Sequence, residues 1–240
     1  MQGLQRGLSL IYPAQCQMCR TLVSESGGLC GPCWAKTPFL RGLLCDACGT
    51  SLPGSDMGDV LCDDCMTTHR PWEAGRAALS YRDLGRRIVL SLKHGDRLDL
   101  AAPAASWMLS AGRSLLTDDT LFVPIPVHWT RLFTRRYNQA AELARAMSWQ
   151  SGLRYCPDAL VRTRRTVKQD GMTVDARHRN MDGAIATNPK RANRLKGATV
   201  CLVDDVMTSG ATFTVATEAL RDAGVDHVFV VMLARVEKTN

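Results

Sequence analysis

No run of apolar residues in this chain approaches the ~20 needed to cross a bilayer. That excludes transmembrane helices. The N-terminus lacks a charged stretch followed by a long apolar core, and Leu8 to Ile11 is too short for the apolar part of a signal peptide. The expected location is the cytoplasm, with no membrane insertion. Also missing is a thioredoxin-like βαβ pattern around any C-x-x-C pair, which argues against redox chemistry. Disulfides are disfavoured in that compartment. The cysteines therefore need another explanation.

There are ten of them, and eight fall in four C-x-x-C pairs: Cys16/Cys19, Cys30/Cys33, Cys45/Cys48 and Cys62/Cys65. A tight turn can aim both thiolates of a pair at one metal. Two pairs make a tetrahedral four-thiolate site suited to Zn²⁺, so eight cysteines predict two structural zinc ions. Sequential pairing is favoured, with Cys16, Cys19, Cys30 and Cys33 in one ribbon and Cys45, Cys48, Cys62 and Cys65 in the other. An interleaved pairing, first with third and second with fourth, stays open on spacing alone. Four filled thiolate positions leave no open coordination for metal catalysis. Little apolar content separates the pairs, so metal binding supplies much of the folding free energy. Such ribbons hold protein or nucleic-acid partners, or serve structure only. His69, four residues after Cys65, is a weaker candidate ligand. Cys156 and Cys201 are read as core thiols.

The 240 residues suffice for one sizeable domain and a small one, expected at 75–240 and 1–70. Hydrophobic content of 45% and charged content of 22% are those of a globular protein. The net charge of +7 is uneven: residues 1–74 carry five Lys/Arg against seven Asp/Glu, and the remainder carries 25 against 16. The basic surplus suits a polyanionic ligand, and it equally suits nucleic acid.

Met66 to Trp72 reads as a linker or docking segment. Ala77 to Tyr81 reads as a strand, Leu84 to Leu92 and Leu98 to Leu116 as helical stretches. Leu121 to Val127 is a strand running into Pro124-Ile125-Pro126, where two prolines end regular pairing. Arg131, Arg135 and Arg136 follow, then an amphipathic helix from Ala140 to Met147. Arginines beside the C-terminal end of a strand stand where an open α/β sheet binds anions. Tyr155 to Arg162 is a further strand. The basic, polar stretch from Arg164 to about Ile185 is long enough to act as a lid over a diphosphate or as a nucleic-acid patch. Lys190, Arg191, Arg194 and Lys196 form a second basic group with a solvated face as its default. The last strand is Val228 to Val236.

The chemistry concentrates between Val200 and Thr212. Val200 to Val203 is a buried strand, Asp204 and Asp205 end its apolar run, and Thr208, Ser209, Gly210, Ala211 and Thr212 make a small-residue turn. Val215, Ala216, Ala219, Leu220 and Ala223 then recur at helical spacing until Gly224. The first amides of a helix have no intrahelical partner and sit at the positive end of its dipole. Such a turn is built for a phosphate monoester, with Gly210 admitting close approach. The adjacent carboxylates can accept hydrogen bonds from the vicinal hydroxyls of a ribose or help hold Mg²⁺. The pattern resembles the phosphoribosyl-pyrophosphate (PRPP) motif of type I phosphoribosyltransferases, whose usual T-T-G is here Thr208-Ser209-Gly210.

With the C-x-x-C pairs, Ala78 to Tyr81, Lys93 to Gly95, Val123 to Pro126, Arg135 to Gln139, Arg162 with Gln169, and Arg177 to Asn180, the chain as a whole resembles the ComF family. These are double-zinc-ribbon, phosphoribosyltransferase-like proteins linked to competence for DNA uptake. The family usually has R-G-F-N-Q where this chain has Arg135 to Gln139 with Arg136 and Tyr137. The resemblance implies an α/β fold: a twisted parallel sheet flanked by helices, of the type I phosphoribosyltransferase kind, after a small cysteine-rich double zinc ribbon. It implies that Asp204 and Asp205 hold ribose hydroxyls or Mg²⁺, that Thr208 to Thr212 hold the 5′-phosphate of PRPP, and that the Pro124–Pro126 turn with Arg131 and Arg135 faces pyrophosphate. The implied reaction is loss of Mg²⁺-bound pyrophosphate from the anomeric carbon, with transfer to an unidentified nitrogen acceptor. A competing reading is a non-catalytic DNA-handling factor that binds single-stranded DNA.

Overall fold

The computed structural model describes residues 13–24, 27–55, 58–94, 97–127, 137–164, 180–181 and 183–237. Its centre is a five-stranded, wholly parallel sheet in the order β1-β7-β6-β2-β3. These strands are β1 (Ala74–Ser80), β2 (Leu121–Pro124), β3 (Arg154–Tyr155), β6 (Thr199–Met207) and β7 (His227–Arg235). The short strands β4 (Leu160–Arg162) and β5 (Ile185–Thr187) pair antiparallel outside it. The expected strand over 155–162 is thus two strands in two sheets, divided at the Pro157–Asp158 turn.

Both faces of the sheet are covered, as parallel sheets require. Successive side chains of a strand point to opposite faces, and the central strands divide accordingly. Val200 and Leu202 of β6, with Val228, Val230 and Met232 of β7, enter one core cluster. Cys201 and Val203, with Val231 and Leu233, enter the other. On the second face lie α3 (Asp83–His94), α4 (Ala101–Ala111) and α5 (Gln139–Ser151). Their Leu84, Ile88, Leu92, Ala104, Met108, Leu143 and Met147 are all buried there. The expected 98–116 helix is α4 with a short 3-10 turn at each end, Leu98–Leu100 and Arg113–Leu115. After the short helix α6 (Ala192–Leu195), α7 (Ala211–Asp222) lies on the first face, through Phe213, Ala216 and Leu220.

The cysteine-rich region is two copies of one device. In each, a knuckle folds back so that the cysteine amide donates to a threonine carbonyl five residues on: Cys16 to Thr21 at 2.7 Å and Cys45 to Thr50 at 2.8 Å. The residue after each second cysteine, Arg20 or Gly49, has positive φ. The third cysteine of each copy then caps a short helix, Cys30 before α1 (Gly31–Lys36) and Cys62 before α2 (Asp63–Thr67).

The two copies pack differently. The first reaches the helical layer through Phe39, which meets Trp107 of α4 edge-on, and through Arg97, which donates to Gln17. The second lies against the edge strand. The Gly75 amide donates to Asp46 O at 2.7 Å, and Arg76 pairs with Asp46 at 2.6 Å. Cys45, Ala47, Cys48, Cys65 and Trp72 belong to the same buried cluster as β6 and α7. The division at residues 70–75 separates two chemistries, while packing crosses it. The Met66 to Trp72 segment docks, with Arg70 and Trp72 both buried.

Candidate functional site

The acids stand at the C-terminal end of the sheet, within β6 rather than after it. Because β7 is equally long, pairing continues past the apolar run: Asp204 faces Met232 and Val206 faces Ala234. Asp204 is partly exposed, whereas Asp205 is only 7% exposed. Burial, reinforced by the Asp205 charge, pushes the Asp204 carboxyl up to about 8, while Lys93 and Arg162 pull the other way. A carboxylate that its surroundings discharge is one that a cation or a pair of hydroxyls would relieve. Asp204 Oδ1 accepts from the Asp205 amide at 2.8 Å. The Asp205 carboxylate is paired with Lys93 at 3.2 Å.

Beyond β6 the chain turns through Thr208 and Ser209 to Gly210, which has φ +86° and forms the N-cap of α7 without a side-chain cap. Ser209 Oγ accepts from the Ala211 amide at a long 3.4 Å. The carbonyls of this loop are drawn backwards by two buried arginines. Arg235 donates to Thr208 O at 2.6 Å and to Met207 O at 3.3 Å. Arg70 donates to Ser209 O at 2.7 Å. With carbonyls held on one side, the loop's amides are left for the other. A twelve-residue helix begins immediately behind them, so its dipole adds to the attraction for an anion.

The pyrophosphate-side candidates converge on the same end. Pro124 lies level with Val203, and the Ile125 amide donates to Val203 O at 2.9 Å, which places the proline turn beside Asp204. Asn138 binds that turn to α5: its Nδ2 donates to Ile125 O at 3.0 Å and its Oδ1 caps the Ala140 amide. Tyr137 Oη donates to Leu92 O at 2.9 Å, fixing the end of α3 that carries Lys93. Arg162 donates to Pro126 O at 3.4 Å. Arg131 and Arg135, and most of the basic stretch after Arg164, lie outside the described residues.

The cysteines gather as two groups, Cys16, Cys19, Cys30, Cys33 and Cys45, Cys48, Cys62, Cys65, with the ligand atoms of each within 4.8 Å of one another. Sequential pairing is therefore the arrangement present, and His69 joins neither group. Sulfurs around a tetrahedral zinc with bonds of about 2.3 Å stand about 3.8 Å apart. Cys19 and Cys30 are separated by 3.4 Å, Cys48 and Cys62 by 3.7 Å. Backbone amides point at the sulfurs, Met18 at Cys16 and Cys62 at Cys45. Burial acts to raise Cys16, but amide hydrogen bonds from Cys19 and Cys30 outweigh it and bring the thiol down to about 6. Hydrogen bonds from Cys48 and Cys65 hold Cys45 lower still. With their sulfurs at these spacings, both groups fit a structural zinc ion.

Sequence reasoning named the acids, the loop and the cysteines. It gave no role to Lys93, Arg70 or Arg235. Lys93 falls inside a quoted motif. Arg70 and Arg235 carry no local signal, since their partners lie 139 and 27 residues away.

The chain is matched over residues 7–66 by the family model of the double zinc ribbon domain. Over 235 residues it is 28% identical to the DNA utilization protein YhgH of Salmonella typhimurium, covering 94% of this chain and 99% of that one. It is 25% identical over 227 residues to competence protein F of Haemophilus influenzae, covering 92% and 96%. Among solved structures it is similar to an allosteric regulatory enzyme of purine biosynthesis, at 14% identity and a TM-score of 0.40, spanning 60% of this chain and 30% of that one. A hypoxanthine phosphoribosyltransferase from Trypanosoma cruzi aligns at 12% identity and a TM-score of 0.33, over 63% and 68%. The chain thus joins paired four-cysteine ribbons to a parallel sheet flanked by helices, with an acidic pair running into a helix-tip loop. The ribbon match and the two relatives, similar to this chain over nearly their whole length, agree with the ComF resemblance seen in the sequence.

Proposed function

We propose that this chain binds PRPP, or another ribose 5-phosphate compound, together with Mg²⁺ at the C-terminal end of β6. The observation that carries the reading is the loop Thr208 to Thr212, its carbonyls tied back by Arg70 and Arg235 and its amides at the tip of α7. Its amides and hydroxyls take the 5′-phosphate. Asp204 takes the ribose hydroxyls or the cation, and Asp205, oriented by Lys93, completes the pair. The pyrophosphate side falls to the Pro124–Pro126 turn with Arg131 and Arg135. When bound, Mg²⁺ would neutralise the diphosphate. If a nitrogen nucleophile enters, the C–O bond to pyrophosphate breaks at the anomeric carbon and a C–N bond forms there. Isothermal titration tests the binding. Wild-type protein is expected to bind PRPP with Mg²⁺, and Asp204→Asn or Asp205→Asn to weaken it about tenfold or more. Equal affinity in both variants contradicts the assignment.

A second reading, contact with single-stranded DNA, is favoured by a separate observation. At the opposite end of the sheet an open cavity of about 560 Å³ is lined by Arg154, Arg194 and Lys196, with Tyr155 beside them. The named roles of the relatives in DNA utilization and competence agree with it. Oligonucleotide binding that falls steeply with salt, and that Arg194→Glu with Lys196→Glu abolishes, would support this reading. No binding at low salt would exclude it.

A further inference from the structure

The second zinc ribbon touches the anion loop directly, through two buried side chains of the segment that follows Cys65. Arg70 is 9% exposed and stacks over Trp72, 5.6 Å from its ring centroid. Its Nη1 is the donor that holds Ser209 O. Trp72 runs in parallel. Its Nε1 donates at 2.6 Å to Ala47 O, between Cys45 and Cys48, and its ring lies 6.0 Å edge-on from Phe213 in the first turn of α7. Gly210 closes the contact: a Cβ there would stand 2.9 Å from Arg70 Nη1 and 3.2 Å from Trp72. The first ribbon reaches the helical layer instead, at Arg97 and Trp107.

We propose that Arg70 is a positioning residue through which the second four-cysteine group, when loaded with zinc, sets the conformation of the anion loop, while the first group has no part in it. The proposal rests on the phosphate reading of that loop. An unloaded second ribbon frees the 45–48 knuckle that anchors Trp72, and with Trp72 the ring on which Arg70 stacks. Ser209 O then loses its donor and the loop amides lose their common direction.

Two readouts decide the matter, both on the full chain with zinc content measured: ribose 5-phosphate affinity, and hydrogen exchange of the Ser209 to Thr212 amides without ligand. Arg70→Met keeps the aliphatic stem and removes the donors. With two zinc ions retained, its affinity is expected to fall about tenfold, the scale of losing one hydrogen bond from a charged donor, and loop exchange to quicken. Cys62→Ser, losing one zinc, should do the same. Cys30→Ser, losing the other, should leave affinity within about twofold of wild type. Wild-type affinity and exchange in Arg70→Met, or equal losses in Cys30→Ser and Cys62→Ser, overturn the proposal. If Arg70→Met does not fold, Arg70→Lys decides: intermediate values support it and wild-type values refute it. If wild-type protein binds no ribose 5-phosphate, the phosphate reading fails, and the exchange comparison alone still judges the role of Arg70.

Discussion

At Asp204 the proposed binding role and the stability of the fold pull in opposite directions. Burial and the adjacent Asp205 charge raise its carboxyl to about 8 in the folded chain, against about 3.8 when exposed. The folded state therefore binds a proton that the unfolded state has released anywhere between those values. The contribution of this carboxyl to stability therefore falls as pH rises from about 4 to about 8. Asp204→Asn removes that cost. In zinc-loaded protein without Mg²⁺ or ligand it is expected to stabilise the fold at pH 8 by on the order of 1 kcal/mol or more, seen as a higher melting temperature, and by much less at pH 4.5. Thermal melts at the two values check it, and an equal change at both would contradict the origin assigned to the shift. The same variant should bind ligand poorly, so its stability and its affinity are expected to move in opposite directions.

Among the elements, the second knuckle and β1 meet at close quarters. A Cβ on Gly75 would lie 2.6 Å from Ala47 O and 2.7 Å from Val230 Cγ2, trapped between ribbon backbone and sheet core. Gly49 answers from the other side, its own Cβ position 2.7 Å from the Ala77 amide nitrogen. Gly75→Ala should destabilise the chain by about 1–3 kcal/mol, the usual cost of overpacking. Urea unfolding measures it, and an unchanged midpoint would show that the two surfaces can separate freely. Much of the element plan was legible beforehand. Alternating and continuous apolar runs marked β1, β2, β6 and β7, and the cysteine spacing marked both knuckles. What escaped depends on pairing at long range. The extension of β6 through Asp204 to Met207 is imposed by the length of β7, and the division of 155–162 by the two different partners of its halves. Neither partner is visible in a local pattern.

At the scale of the molecule, the second ribbon and the sheet pack as one body beside the helix-tip loop. Three cations, two of them buried arginines, converge here from three directions: Lys93 from α3, Arg235 from β7 and Arg70 from the segment after the second ribbon. The acids and the loop could be named from sequence because their chemistry is contiguous. Their supports could not, because each arrives from a distant segment, and a single arginine in a linker looks like any solvated charge. The direct measurement is a crystal structure grown with ribose 5-phosphate and Mg²⁺. The account predicts the phosphate within hydrogen-bonding distance of the Ser209 to Thr212 amides, with the ribose hydroxyls on Asp204. A phosphate found instead among Arg154, Arg194 and Lys196, with the helix-tip loop unvisited, would contradict it.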